Sequence, residues 1–140
     1  MARHDRKGRS KGDARHVRVY EYLEQTPAWR DLSGIAAKAW ITIGLMHNGT
    51  NNGKIAVSSR ELGKRIGVHH SVAARAILEL INAGFLRQTK ASSFSQKKLA
   101  AEYRLTHLRN DITGEPPSRE FKVKAQPIDE VPEGYRAAAE

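Results

Sequence analysis

The spacing of apolar positions changes twice along the chain, and each regime predicts a different kind of element. Between Ser33 and Asn48, the residues Ile35, Ala36, Ala39, Trp40, Ile43, Leu45 and Met46 leave little polar face. A helix apolar nearly all round is buried on several sides, here as a central helix or one partly covered by a second subunit. Between Ser58 and Gly84 the pattern becomes amphipathic: Leu62 and Ile66 stand four apart, and Ala73, Ile77, Leu80 and Gly84 recur at helical intervals as a core face. The opposite side of that second stretch carries His70, Ser71, Ala74 and Arg75. After Gly84 the period shortens to two. Tyr103 and Leu105 alternate with Glu102, Arg104 and Thr106, the pattern of a strand buried on one face only.

Local signals set the boundaries. Ser58 followed three residues later by Glu61 is a capping box that starts a helix at Ser59, and Gly67 stops it with Val68 turned inward beneath the turn. A second helix runs from His69 or His70. Thr26 before Pro27 reads as an N-cap with proline at the first helical position, predicting a brief helix through Trp29 and Leu32, and Asp31 or Ser33 caps the apolar helix that follows. Ahead of these, Val17, Val19, Tyr22 and Leu23 fit either a short strand or a helical turn. His47 is expected to meet free carbonyls at the end of the apolar helix. The segment NGTNNG, Asn48 to Gly53, reads as a turn and lacks the lysine and hydroxyl residue of a phosphate-binding loop. Lys54 to Val57 alternates as a short strand, and a hairpin follows with strands of about Phe85 to Thr89 and Ala101 to Leu108. Its tip carries Lys90, Lys97, Lys98 and several hydroxyl residues around Phe94, which is expected to anchor the loop on the domain.

Charge adds a partner to this picture. The 140 residues suit one compact domain with tails, and a formal charge of +9 with a pI near 10.1 points to a polyanion. Residues 1–18 hold seven Lys and Arg against two Asp and Glu, residues 54–104 ten against three, and residues 111–140 four against seven. The excess sits on the N-terminus and on the two-helix and hairpin region. Residues 1–16 are too polar to bury themselves and read as a flexible basic arm. Residues 109–140 are polar, proline-bearing and mildly acidic, an extended, partly disordered tail in which Glu115 to Lys124 either docks or stays free.

Several chemistries drop out. Without cysteine there is no disulfide framework, thiol nucleophile or cysteine-based zinc site. His69 and His70 are adjacent and point to different sides of a helix, with no nearby carboxylate to complete a metal site. No nucleophile, base and orienting group can be assembled, so neither an enzyme nor a cofactor is expected. The charged N-terminus is unlike a signal peptide and no apolar run approaches the roughly 18 residues of a membrane span, so a soluble, cytoplasmic protein without a membrane partner is expected.

The order helix, short strand, helix, turn, helix and hairpin resembles the winged helix-turn-helix domain over about residues 33–108. The resemblance is carried by Ser58 to Gly67, the turn into Val68, Ala73 to Gly84 ending in ELINAGFL, and EYRLT at the hairpin's close. The chain is similar to the DNA-binding domains of MarR-type and GntR-type regulators. NNGKIAVSSRELGKRIG with AGFL and YRLT resembles small winged-helix control proteins of bacterial plasmids, phages and other mobile elements. The implied fold is α+β, mostly helical, with a three-helix core and a two- or three-stranded β-wing in a domain spanning residues 17–108. The implied function is a homodimeric, sequence-specific double-stranded DNA-binding transcriptional regulator, a repressor, with the helix from about residue 69 in the major groove.

By position in that motif, Arg75 would donate to guanine O6 and N7, His70 and Ser71 would reach base edges or phosphates, and Ala74 would meet a thymine methyl. Ser59, Arg60 and Lys64 would contact the backbone, Lys97 and Lys98 would set the wing beside the adjacent groove, and Arg3, Arg6, Lys7 and Arg9 would follow phosphates or the minor groove. His69 and His70, both counted among the DNA-binding residues, depart from the pattern, since relatives usually carry Ser, Thr or Arg at these positions, which bears on both the cap and the base contacts there. The alternative for Arg75 is a surface salt bridge with Glu79 at i, i+4. The alternative functions are an accessory factor for replication or recombination of a mobile element, or an RNA-binding or protein-interaction winged helix. The sequence identifies no small-molecule effector.

Overall fold

A computed structural model describes residues 14–93 and 99–122, and in it Thr26, Ser33 and Ser58 close three helix starts as expected, while the first helical turn has no side-chain cap. The stretch after Val17 becomes a helical turn, Glu21–Glu24 (α1), that buries Leu23. Thr26 Oγ1 accepts from the Trp29 N–H at 3.2 Å and begins α2 (Pro27–Arg30). Ser33 Oγ accepts from the Ala36 N–H at 3.1 Å and begins α3 (Gly34–Met46). A two-residue strand, β1 (Ile55–Ala56), leads to Ser58, whose Oγ accepts from the Glu61 N–H at 3.1 Å to begin α4 (Ser59–Ile66). Glu61 itself is exposed to solvent, so the serine half of the capping box is the half that forms. Gly67, at φ +78°, ends α4, and α5 (His70–Ala83) follows as far as Gly84. The hairpin is β2 (Leu86–Lys90) and β3 (Glu102–Leu105), extended toward its tip by paired Ser93 and Leu99. The fold is therefore α+β: five helices and a three-stranded antiparallel sheet of order β1-β3-β2 among the described residues. Among those residues no helix is long and apolar enough to cross a membrane.

The helix α3 packs against both α4 and α5. Ala36, Ala39, Trp40 and Ile43 are fully buried, yet Ile35 and Ile41 remain 42% and 40% exposed, so the helix is covered on one side and not all round. Its buried side joins Leu62, Ile66, Ala73, Ile77 and Leu80 to the sheet residues Ile55, Leu86 and Leu105 in one core. Each large aliphatic side chain buried there contributes about 1.5 to 3 kcal/mol relative to exposure.

The strand β3 departs from the alternation expected of it. It is the central strand, with Tyr103 opposite both Ile55 and Gln88 and Leu105 opposite Leu86, and it is buried on both faces: Arg104 is 2% and Thr106 0% exposed. The cause is residues 109–122, which do not extend into solvent but cross behind the sheet. Arg104 donates from Nη1 to Glu115 Oε2 at 3.0 Å and from Nη2 to the Pro116 carbonyl at 2.7 Å. The Arg119 N–H donates to the Thr106 carbonyl at 2.9 Å, and the Thr106 hydroxyl donates to the Gly84 carbonyl at 2.6 Å. The strap ends in a 3₁₀ turn, Glu120–Lys122, whose Phe121 is 0% exposed and stacks on Phe85 with centroids 4.9 Å apart. Gly84 makes this crossing fit, because a Cβ there would stand 2.5 Å from the Phe121 nitrogen.

The NGTNNG turn is more than a connection. Asn52 is fully buried, donates from Nδ2 to the carbonyls of Leu105 at 3.1 Å and Arg109 at 2.7 Å, and accepts the Leu105 N–H at 2.7 Å. Its N–H donates to Asp111 Oδ2 at 2.9 Å, and its carbonyl accepts the Asp111 N–H at 2.8 Å. His47 is drawn into this junction and not onto free carbonyls as expected: its Nε2 pairs with Asp111 Oδ2 at 2.9 Å. The carbonyls at the end of α3 are taken instead by Asn51, which donates to Met46 O at 3.1 Å, and by Arg15, which donates to His47 O at 2.9 Å.

Candidate nucleic-acid interface

The helices α4 and α5 meet at Gly63. A Cβ there would stand 2.7 Å from the Val68 carbonyl and 3.4 Å from the His70 backbone, so a residue without a side chain lets the turn close on α4. With about 3.6 residues per turn, Arg60 and Lys64 fall on the flank of α4 nearest this contact, while Glu61 and Arg65 fall on the far flank. All four are exposed, and Ser59 is half-buried. Lys38 of α3 donates to the Ile66 carbonyl at 3.0 Å, so its ammonium caps the end of α4.

His69 begins α5 in the role usually taken by a hydroxyl or carboxamide. Its Nδ1 accepts from the Ser71 N–H at 3.3 Å and stands 2.8 Å from Ser71 Oγ. The His69 and His70 rings, expected to point to different sides of a helix, instead lie against one another with centroids 4.1 Å apart, because His69 is the extended N-cap ahead of the helix and not part of it. Three neighbouring residues thus share one local arrangement, and all are exposed.

Further along α5, Ala73, Ala76, Ile77 and Leu80 are buried, and Ser71, Ala74, Arg75, Leu78 and Asn82 form the exposed side. The salt bridge considered for Arg75 does not form. Glu79 turns instead to the start of α3, where its carboxylate accepts the Ser33 N–H at 2.8 Å and the Ser33 hydroxyl at 2.7 Å. Among the described residues no ion pair engages Arg75. Leu78 was not among the residues singled out from the sequence, although its place seven residues after Ser71, two helical turns on, puts it on the same line.

The start of α4 adjoins the base of the hairpin, since the Val57 N–H donates to the Ala101 carbonyl at 3.2 Å. Residues Arg3, Arg6, Lys7 and Arg9 of the arm and Phe94, Lys97 and Lys98 of the hairpin tip lie outside the described residues. Among the described residues no group of three or more His, Asp or Glu side chains is placed to hold a metal ion. Comparison with protein-family models, with curated proteins and with solved structures finds no match.

Proposed function

We propose that the protein is a sequence-specific double-stranded DNA-binding transcriptional regulator of the winged helix-turn-helix class, a repressor that acts by covering promoter DNA. The observation that carries this reading is the exposed side of α5. His70, Ser71, Ala74 and Arg75 share it, no acidic residue interrupts it, and the cations Arg60 and Lys64 flank its start. The element order α3, β1, α4, α5, β2, β3 and the sheet order β1-β3-β2 support the same reading. With α5 in the major groove, the guanidinium of Arg75, free of any ion pair among the described residues, donates to a guanine edge, and Arg60 and Lys64 meet phosphates along one edge of the groove. A homodimer on a pseudo-palindromic site is supported by the exposed Ile35 and Ile41 of α3. Sedimentation that shows a monomer both alone and on the site removes the dimer.

The test is a titration of the full chain with a duplex selected from a random pool and with an unrelated duplex, over about 50 to 200 mM salt. The selected duplex is expected to bind at least about a thousandfold tighter, and both affinities are expected to fall as salt rises. Equal affinity for both duplexes defeats sequence-specific regulation, and binding that ignores salt defeats nucleic-acid recognition altogether.

A further inference from the structure

We infer that Leu78 is a specificity-determining residue that reads a thymine C5-methyl group beside the base pair met by Arg75; this rests on the DNA-binding reading of α5. Leu78 is 56% exposed, the most exposed of the large hydrophobic residues described, and it stands in the middle of the face whose other members are Ser71, Ala74, Arg75 and Asn82. An apolar side chain at the centre of a polar helix face is held in water at a cost unless something covers it. What covers it is set by its surroundings. Arg75 lies one turn before it, and α4, which carries the exposed Arg60 and Lys64, packs at the start of the same helix, so the leucine is an apolar group beside a cation on a face without acidic residues. The major groove is the complement of that arrangement, with phosphates along its edges and, on its floor, one apolar group, the thymine methyl. A second copy of the chain is a poor fit. A stable protein interface removes about 800 Å² from each partner, and one leucine among Ser71, Arg75 and Asn82 offers no patch of that size. Ala74 and Leu78 are one turn apart, about 6 Å along the helix, close to two base-pair steps, so the two apolar residues bracket the guanine contact of Arg75.

The experiment replaces each thymine of a duplex selected by the full chain with deoxyuridine, one position at a time, which deletes a single methyl group and leaves every hydrogen bond in place. At one position the substitution is expected to weaken binding about fourfold, the loss of one buried methyl. In Leu78→Ala that step disappears, and in Leu78→Met, which keeps an apolar side chain of similar size, it persists. Leu78 is not among the residues of the hydrophobic core or those packed against it, so the near-ultraviolet circular dichroism of both variants should match the parent. A selected duplex with no uracil-sensitive position, or a uracil step unchanged in Leu78→Ala, overturns the inference and leaves DNA binding standing. A dimer without DNA that Leu78→Ala converts to monomer also overturns it, by assigning the side chain to self-association. Failure to bind any duplex in a salt-dependent way overturns the DNA-binding reading itself.

Discussion

His107 shows how one buried side chain ties stability to acidity. It is 7% exposed, its ring lies 5.1 Å from that of Trp40 and 6.3 Å from that of Tyr20, and its Nδ1 has no partner among the described residues. Burial, with repulsion from His47 added, lowers its pKa from the ordinary 6.5 to about 4. The folded protein therefore keeps His107 neutral where the unfolded chain takes up a proton. Its effect on stability is absent above about pH 6.5, grows as the pH falls, and levels off near pH 4 after a loss of about 3 kcal/mol. Urea unfolding at pH 7 and pH 4.5 should show this decline in the parent and a smaller one in His107→Leu; equal declines would remove His107 as the source. Arg75 is the contrasting residue, exposed and free of any ion pair among the described residues. Arg75→Ala should leave stability within about 0.5 kcal/mol and cost specific binding roughly 1 to 3 kcal/mol. An equal loss on specific and random duplexes would place the guanidinium on phosphate and not on a base.

At the scale of elements, the strap of residues 109–122 does the work of an additional layer. Phe121 fills the space beside Phe85, Arg119 and Lys122 stand over the Tyr22 ring at 5.3 and 4.9 Å, and Glu115 and Glu120 meet Arg104 and Arg87. Removing the buried ring is expected to dominate: Phe121→Ala should cost about 3 to 5 kcal/mol in urea unfolding. Glu115→Gln should cost about 1 to 3 kcal/mol, since the carboxylate is 58% exposed but the Arg104 guanidinium it neutralises is 2% exposed. A Phe121→Ala variant as stable as the parent would mean that the strap adds nothing to the folded core. The same strap marks where the sequence stops being legible. Helix starts at Thr26, Ser33 and Ser58 and the stop at Gly67 are short-range chemistry, each readable from a few neighbouring residues, whereas Gly84, read as part of the helix's core face, instead ends it at φ +88°. The burial of Arg104 and Thr106 was not. Their polar side chains alternate with Tyr103 and Leu105 as if one face were solvated, and the segment that covers them is polar, proline-bearing and has Phe121 as its only large apolar residue near the sheet. Asn52 and His47 misled for the same reason, because their partners Leu105, Arg109 and Asp111 lie more than fifty residues away. The α5 face was legible in His70, Ser71, Ala74 and Arg75 because helical spacing is local. Leu78 shares that spacing, but its 56% exposure is a property of the folded chain that the sequence does not state.

At the scale of the whole molecule, the strap also decides which cations are available to a polyanion. Residues 54–104 carry ten Lys and Arg, but Arg104 is buried against Glu115 and Arg87 pairs with Glu120 at 3.5 Å, so two of those cations are already engaged by the strap. Among the described residues Arg60 and Lys64 of α4 stay exposed, and the sequence adds seven basic against two acidic residues over residues 1–18. This division separates affinity from sequence choice. On duplex DNA each neutralised phosphate contributes about −0.9 to the slope of log affinity against log salt, whichever bases lie beneath it. Replacing Arg3, Arg6, Lys7 and Arg9 by glutamine should therefore make that slope shallower by about 3 to 4 and weaken selected and unrelated duplexes alike, with their ratio preserved. Replacing Arg75 should do the reverse, lowering the ratio with a change of at most about one in the slope. If the arm substitutions change the ratio and leave the slope alone, the arm reads bases, and sequence choice does not reside in α5 alone.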